Sequence, residues 1–322
     1  MAEQNAYEPA SLTDIEAARQ RIADTVVRTP LVRLEIDAPG EIFLKLENLQ
    51  PIGSFKLRGA GNALGLVAPG ALAAGVWTAS AGNMAQAVAW HARKRGLPCT
   101  VVVPETAPRT KLDAIKRLGA DAVKVPVPTW LEVFRTRTYP GMSGVFVHPF
   151  SDPHVIAGNG TIGAEIVEDL PDVDGVLIPY GGGGLSCGIA SALRALAPAC
   201  RVYACEVETA APLEPSLEAG EPVEVEHVAS FVDGIGAPTV FPEMFALARE
   251  LLDGSIAVSL TAVAEAIRLL VERARIVAEG AGAASLAAAL SGRAGGGKLV
   301  CVVSGGNIDT ATLGTILAGK MP

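Results

Sequence analysis

The chain has 322 residues and a formal net charge of -8, and 50% of its residues are hydrophobic but only 5% aromatic. This length is sufficient for two domains, and the composition predicts a core of small aliphatic side chains in helices packed on a sheet. Lys and Arg form no cluster, which argues against nucleic-acid binding. The sequence has no run of about 18 apolar residues and no signal-like start, so we expect no membrane association and a cytoplasmic location.

Short apolar runs typical of strands alternate with longer amphipathic patterns typical of helices. The strand candidates are 75–78, 99–103, 122–125, 144–148, 175–179, 201–205 and 298–303. Helical patterns at 84–95 and 109–118 end at Gly96 and Gly119, where a left-handed residue can close a helix. The alternation predicts an α/β protein with parallel sheets covered on both faces. We expect surface loops at 126–144 and 212–225, which are rich in Pro, Gly or charge.

The cysteines and histidines show no metal-binding or disulfide pattern. The cysteines are Cys99, Cys187, Cys200, Cys205 and Cys301, and no two of them form a C-x-x-C pair. In a chain of this size they are interpreted as buried free thiols. The four histidines are scattered singly, so we expect no zinc site.

The first segment with chemical potential is 47–60, ENLQPIGSFKLRGA. Lys56 follows a Pro- and Gly-rich turn, stands beside Phe55 and opens a helical pattern. A single lysine of this kind is usually a solvated helix residue. The functional alternative is an amine that forms a Schiff base with a cofactor, with Phe55 close enough to touch the cofactor ring.

The second segment is 78–86, TASAGNMAQ, between a strand and a helix. Its small residues allow a ligand to approach the backbone, and the unpaired amides of a helix N-terminus can bind a carboxylate. An ordinary capped helix start explains the same residues equally well.

The third segment is 178–188, IPYGGGGLSCG, in which Gly181, Gly182, Gly183 and Gly184 separate a buried strand from a helix. Consecutive glycines in this position form a concave set of backbone amides suited to a phosphate. A purely structural turn would not require four residues that each cost folding entropy. The segment therefore predicts a phosphate site.

Two other motifs overlap this glycine loop. Residues 184–188 match the hydrolase pattern G-x-S-x-G, but no Asp lies between Ser186 and His227, the only later histidine. Glu206 stands where a dinucleotide site would place its ribose-binding acid. However, no register of the glycines gives G-x-G-x-x-G, because Ser186 or Cys187 falls on the last position. Both alternatives are weaker than the phosphate site.

Together the three segments resemble the fold type II pyridoxal-phosphate enzymes, in particular the branch of threonine and serine dehydratases and serine racemases. The resemblance covers nearly the whole chain and continues through 102–108, 148–150, 155–161, 232–235, 278–284 and 303–307. It implies a two-domain α/β fold like that of the tryptophan synthase β-subunit, with parallel-rich sheets flanked by helices. It further implies a large cofactor-binding domain formed by 1–71 and 148–322, a small domain formed by 72–147, and a homodimer. We expect no C-terminal allosteric domain.

The same resemblance assigns functional positions, with pyridoxal 5'-phosphate as the cofactor. It makes Lys56 the catalytic Schiff-base lysine, and it places Ser304 opposite the pyridine nitrogen. The other cofactor-binding positions are Phe55 on the ring, Asn83 at the ring hydroxyl, Gly181, Gly182, Gly183, Gly184 and Leu185 at the phosphate, and Gly234 and Glu279 along the cofactor. The substrate-binding positions are Ser80, Ala81, Gly82, Asn83, Met84 and Gln86. Because a neutral serine cannot hold the ring nitrogen protonated, the ring is a weaker electron sink, which favours elimination.

The sequence departs from the family pattern around the substrate. Ala81 replaces a serine of the racemases, and Met84 replaces a common histidine. The stretch 126–139 is shortened, and Trp130 and Leu131 lie near where an arginine binds acidic substrates in some relatives. These residues predict an apolar β-substituent, unless the following Arg135 and Arg137 turn inward.

A further departure concerns the metal site of this branch. Glu206 matches one of its acids and Ala210 could contribute a carbonyl, but Pro212 replaces an aspartate. Too few charged oxygens remain for a strong calcium or magnesium site, so we expect no metal.

The resulting expectation is a pyridoxal-phosphate-dependent dehydratase, that is, an ammonia-lyase. It would convert a β-hydroxy amino acid, threonine or serine first, to a 2-oxo acid and ammonia, with Lys56 removing the Cα proton. An amino-acid racemase is the nearest alternative, followed by a β-replacement synthase. A non-catalytic cofactor-binding protein is opposed by the intact Lys56 and glycine loop.

Overall fold

A computed structural model describes residues 7–322 of the chain. The helices are α1 (Leu12–Ile22), α2 (Lys56–Gly65), α3 (Asn83–Lys94), α4 (Arg109–Arg117), α5 (Val127–Thr136), α6 (Pro153–Asp169), α7 (Gly184–Leu196), α8 (Leu213–Ala219), α9 (Pro242–Leu251), α10 (Leu260–Leu269), α11 (Gly280–Leu290) and α12 (Thr310–Leu317). The strands are β1 (Leu31–Leu34), β2 (Glu41–Lys45), β3 (Val76–Ala79), β4 (Cys99–Pro104), β5 (Asp121–Val125), β6 (Val145–Phe146), β7 (Gly175–Pro179), β8 (Arg201–Val207), β9 (Gly254–Val258) and β10 (Lys298–Val302).

The strands form two sheets. The larger has the order β1-β2-β10-β7-β8-β9, and its neighbours are parallel except for the antiparallel edge pair β1–β2. The smaller has the order β5-β4-β3-β6 and is entirely parallel. The expected α/β fold with parallel-rich sheets flanked by helices is confirmed.

Each sheet is covered on both faces, as successive side chains along its strands show. In β10, Leu299 and Cys301 belong to one apolar cluster, while Val300 and Val302 belong to another. In the smaller sheet, Val101 and Val102 likewise enter different clusters. Because alternate residues of a strand point to opposite faces, helices must pack against both sides of each sheet. The cysteines are all buried free thiols, as expected.

The structure confirms the seven predicted strands within two residues, and it also contains β1, β2 and β9. The two predicted loops are wrong in part, because α5 lies within 126–144 and α8 within 212–225, while 137–144 and 220–225 are irregular. Their prolines, Pro128 and Pro215, stand in the first helical turn, where a missing amide hydrogen costs nothing. Gly96 and Gly119 have φ values of +65° and +86°, so they close α3 and α4 as predicted.

The smaller sheet lies between residues 76 and 146, inside the predicted small domain. The division into 1–71 with 148–322 and 72–147 stays a prediction, and residues 1–6 of it lie outside the described residues. An ion pair between Lys111 on α4 and Asp233, with its two atoms 2.6 Å apart, joins the two regions. No helix within residues 7–322 is long and apolar enough to cross a membrane.

Candidate active site

Lys56 is the first residue of α2. A left-handed Gly53, with φ of +73°, turns the chain, and the amide of Phe55 then donates to the Ser304 carbonyl at 3.0 Å. The Lys56 Nζ donates to the Pro149 carbonyl at 2.7 Å and lies 4.9 Å from the centroid of the Phe55 ring. Burial lowers the pKa of the amine to about 8, against the opposing charge of Glu279. Near neutral pH the neutral fraction of this amine is far larger than that of an ordinary lysine, which makes it a better nucleophile and base.

A buried ionic network lies beneath the first turn of α2. The Arg58 guanidinium donates to Glu47 at 2.8 and 2.9 Å and to Glu165 at 2.7 and 2.9 Å, and Lys45 donates to Glu165 at 2.6 Å. The four residues are at most 3% exposed. Their bonds join α2 to β2 and α6 and so fix the backbone that bears Lys56. The sequence prediction missed this network, although Arg58 stands only two residues after Lys56.

The glycine loop joins β7 to α7. Gly183 has φ of +85° and precedes the helix, so the loop turns sharply. Within the described chain, the amides from Gly181 to Ser186 have no hydrogen-bond partner, and the first bonded amide is that of Cys187. A Cβ at Gly184 would lie 2.7 Å from the Phe150 carbonyl oxygen, so only glycine fits there. The row of free amides, including that of Leu185, suits a phosphate at the helix N-terminus.

Ser304 follows β10 on the side of the site facing Phe55. It is 3% exposed, and its Oγ makes no hydrogen bond to the described residues. A hydroxyl with free bonding capacity fits the nitrogen of an aromatic ring, to which it can donate. Lys56, the glycine loop and Ser304 thus offer one partner each for an aldehyde, a phosphate and a ring nitrogen.

Asn83 and Glu279 form a polar pair at the start of α3. Asn83 Nδ2 donates to Glu279 Oε1 at 2.8 Å, and Asn83 Oδ1 accepts from Asn307 Nδ2 at 2.8 Å. Burial raises the pKa of Glu279 to about 7, against the opposing hydrogen bond from Asn83. A Cβ at Gly234 would lie 3.6 Å from Glu279 Oε1, so the structure brings these predicted positions together. Asn307 lies within the segment 303–307 that carries the family resemblance, but it was not predicted individually as a site residue.

The predicted substrate loop lies between β3 and α3. The Ser80 hydroxyl accepts from the Gly82 amide at 3.2 Å, and Ser80, Ala81, Gly82 and Gln86 are half-buried. Met84 differs, because its side chain is 1% exposed and packs in the core of the smaller sheet. Only its backbone amide at the helix N-terminus is left for a substrate carboxylate.

The prediction of an apolar β-substituent, based on Trp130 and Leu131, stays a prediction. Trp130 packs edge-to-face on Phe134, with ring centroids 4.6 Å apart, whereas Leu131 is 46% exposed. Arg135 is exposed. Arg137 donates to Tyr7 Oη at 2.7 Å and to the Ser151 carbonyl at 2.8 Å. These two bonds fix the orientation of its guanidinium.

The residues of the rival motifs are engaged elsewhere. The Ser186 hydroxyl is buried and donates to the Pro179 carbonyl at 3.3 Å, while His227 is exposed. Glu206 accepts from the amides of Leu213 and Glu214, at 3.0 and 3.2 Å, and from the Ser255 hydroxyl at 2.7 Å. Neither a hydrolase triad nor a ribose-binding acid is formed. In residues 7–322, no group of three or more His, Cys, Asp or Glu side chains could hold a metal ion.

The fold and this site define a class of cofactor-dependent enzyme. The chain belongs to the family described as pyridoxal-phosphate dependent enzyme, which matches residues 22–305, and its cofactor is pyridoxal 5'-phosphate. It is 40% identical over 314 residues to an L-threonine ammonia-lyase of Thermotoga maritima, covering 95% of this chain and 78% of the relative.

Solved structures show the same architecture. A maize serine racemase has 32% identity and a TM-score of 0.87, covering 97% of this chain and 98% of that one. The processed form of threonine deaminase isoform 2 from Solanum lycopersicum has 32% identity and a TM-score of 0.86, covering 98% and 96%.

Proposed function

We propose that this enzyme is an ammonia-lyase that converts L-threonine to 2-oxobutanoate and ammonia. The proposal depends on one observation above all: the loop that would receive the substrate carboxylate bears Ala81, whose methyl group cannot donate a proton. The half-buried Lys56 amine then performs proton transfer from one side. The name of the 40% identical relative, L-threonine ammonia-lyase, supports the same reaction.

The chain's own residues divide the chemical work. Bound pyridoxal phosphate supplies an electron sink conjugated with the amino nitrogen of the substrate. The amides from Gly181 to Leu185 hold the phosphate, and Phe55 and Ser304 hold the ring. The amides at the start of α3 bind the substrate carboxylate, and Lys56 Nζ takes the Cα proton. The β-hydroxyl takes up one proton and leaves as water, which balances the Cα proton taken by Lys56, and hydrolysis of the released enamine by one water gives 2-oxobutanoate and ammonia.

A racemase is the second candidate, because a serine racemase has nearly the same fold. Racemisation requires a proton donor on the substrate face opposite Lys56. Reprotonation by Lys56 from its own face regenerates the starting enantiomer. Because Ala81 cannot donate a proton from the opposite face, loss of the β-hydroxyl is the productive outcome. The same lysine and glycine loop would also serve a β-replacement synthase, whereas a non-catalytic protein would have no use for an amine with a lowered pKa.

The test follows two products from enantiopure substrates. L-Threonine, L-serine, L-threo-phenylserine and L-threo-3-hydroxyaspartate are incubated with the holoenzyme, and both 2-oxo acid and D-isomer are measured. We expect 2-oxobutanoate from L-threonine to dominate. D-Serine appearing faster than pyruvate would refute the lyase, and a preference for hydroxyaspartate would refute an apolar β-substituent site.

Substitution at Ala81 tests the reason for this outcome. Ala81→Ser should gain detectable racemisation of L-serine, because it adds a donor hydroxyl. Ala81→Gly is the matched control, since it changes the same position without adding a donor, and it should remain without racemisation. Equal racemisation by the two variants would contradict the assignment of Ala81.

We also propose that the protein is a cytoplasmic homodimer with the domain division given above. The division is supported by the separate four-stranded sheet within residues 76–146. Sedimentation equilibrium should give twice the chain mass of 33.0 kDa. A monomeric mass would contradict the dimer.

A further inference from the structure

The peptide unit between Pro149 and Phe150 lies directly beside the Lys56 amine. Its carbonyl, that of Pro149, accepts from Lys56 Nζ at 2.7 Å. Its amide, that of Phe150, donates to His148 Nδ1 at 3.3 Å, and the next amide, that of Ser151, donates to the same nitrogen at 2.8 Å. The carbonyl and the amide of a trans peptide point in opposite directions within one rigid plane. The bonds to the His148 ring therefore restrain the orientation of this peptide, and with it the direction of the Pro149 carbonyl.

The hydrogen bonds also determine the tautomer of His148. Since Nδ1 accepts two amide hydrogens, the ring proton resides on Nε2, which donates to the Phe134 carbonyl at 3.2 Å. The ring is 1% exposed and packs edge-on to Phe150, with centroids 4.6 Å apart. Burial lowers the pKa of His148 to about 3, and the nearby charges of Arg137 and Lys56 act in the same direction. The ring is therefore neutral near neutral pH.

The same segment supports the glycine loop on its other side. A Cβ at Gly182 would overlap the Phe150 ring, and one at Gly184 would lie 2.7 Å from the Phe150 carbonyl oxygen. The Ser151 hydroxyl donates to Glu243 Oε1 at 2.6 Å, which anchors the end of this segment to α9. A displacement of this segment would disturb both the amine and the loop that receives the phosphate.

We infer that His148 is a positioning residue, which holds the Pro149–Phe150 peptide so that the Pro149 carbonyl orients the free Lys56 amine. One N–H bond of the amine is then directed at the carbonyl, and its lone pair is left for the Cα proton. The inference rests on the proposed role of Lys56 as base. Misorientation of a catalytic group by about 1 Å can cost about 100-fold in rate, so the effect is measurable.

Two near-isosteric variants separate the two nitrogens of the ring. His148→Asn keeps a polar acceptor near the position of Nδ1, whereas His148→Gln keeps a donor near Nε2 and loses the acceptor. We expect kcat of the Asn variant to stay within about 3-fold of wild type and kcat of the Gln variant to fall about 10- to 100-fold, with KM unchanged. The α-deuterium isotope effect on kcat should rise in the Gln variant alone, because proton transfer becomes slower.

Thermal melting separates positioning from stability. The Asn variant loses the bond to the Phe134 carbonyl, and the Gln variant loses the bonds from the two amides. If His148 were merely structural, the loss of kcat in each variant would follow its loss of melting temperature. Equal kcat for the Asn and Gln variants, or a greater loss in the Asn variant, would overturn the inference.

A readout independent of turnover is the ¹⁵N spectrum of histidine-labelled holoenzyme. It should show His148 neutral, with its proton on Nε2, throughout the neutral pH range. A proton on Nδ1 would overturn the inference whatever reaction the enzyme performs. A wild-type enzyme that makes no 2-oxobutanoate would instead contradict the proposed function and leave this spectrum unchanged.

Discussion

Replacing Arg58 by methionine removes the central cation of the network beneath the catalytic lysine. The wild-type cluster is balanced, with Arg58 and Lys45 facing Glu47 and Glu165. The variant leaves one buried cation facing two buried carboxylates. Breaking a buried ion pair by removing one partner costs about 3–5 kcal/mol of unfolding free energy, because the remaining charge is uncompensated. We expect a loss of this size at neutral pH.

The loss of unfolding free energy in the Arg58→Met variant should shrink as the pH falls. The reason is the change in the pKa of Glu47. Burial alone raises the pKa of this carboxyl, but in the wild type the charge and hydrogen bonds of Arg58 outweigh burial and lower the pKa. The wild type is therefore stabilised above the unfolded-state pKa of about 4.3 and loses this contribution as the pH falls. In the variant burial dominates and the folded pKa is raised, so acidification relieves the unpaired charge. The two proteins should converge in stability.

Urea unfolding followed by circular dichroism at about pH 7 and about pH 5 measures both effects. Arg33→Met is the matched control, because Arg33 also faces two carboxylates, Glu35 at 3.2 Å and Glu41 at 3.3 Å, but is 51% exposed. Exposed pairs contribute at most about 1 kcal/mol, so the control should change little. An Arg58→Met loss below about 1 kcal/mol, or one equal at the two pH values, would refute the reasoning.

Four further outcomes are expected at the site. Lys56→Ala should lower kcat by at least about 1000-fold and abolish borohydride fixation of the cofactor in a peptide map; fixation on another lysine would contradict the assignment. Cofactor uptake by the apoprotein, followed by absorbance, should rise with pH around a midpoint of about 8, because burial favours the neutral Lys56 amine. A midpoint near the ordinary lysine pKa of 10.5 would argue for a solvated amine. Gly183→Ala should weaken cofactor binding about 5- to 30-fold in a fluorescence titration, since its φ is +85° and its Cβ would lie 2.9 Å from Tyr180 Oη; unchanged affinity would mean that the loop relaxes. Chelator should leave turnover unchanged, because the Glu206 oxygens already accept from two amides and the Ser255 hydroxyl. If chelator abolished activity and magnesium restored it, the metal would have to bind residues other than Glu206.

Local signals were sufficient for the seven predicted strands, for α3 and α4, and for two parts of the site. Four consecutive glycines after a buried strand predict the free amides that the structure shows from Gly181 to Ser186. Lys56 at a helix start after a Pro- and Gly-rich turn is also encoded within a few residues. Such features depend on backbone preferences and on short-range periodicity, which neighbouring residues determine. Proline alone was misleading at 126–144 and 212–225, because its effect depends on its position within a helical turn.

Tertiary structure decided which side chains meet and in which state. Arg58 and Glu165 are 107 positions apart, yet their contact fixes the helix of Lys56, and no local pattern encodes it. Met84 stands in the substrate loop of the sequence but turns into the core. In the sequence His148 is an isolated histidine. In the structure, two amides and the Phe134 carbonyl determine its tautomer. Burial and pairing depend on atoms contributed by distant segments, so their energies exist only once the chain has folded.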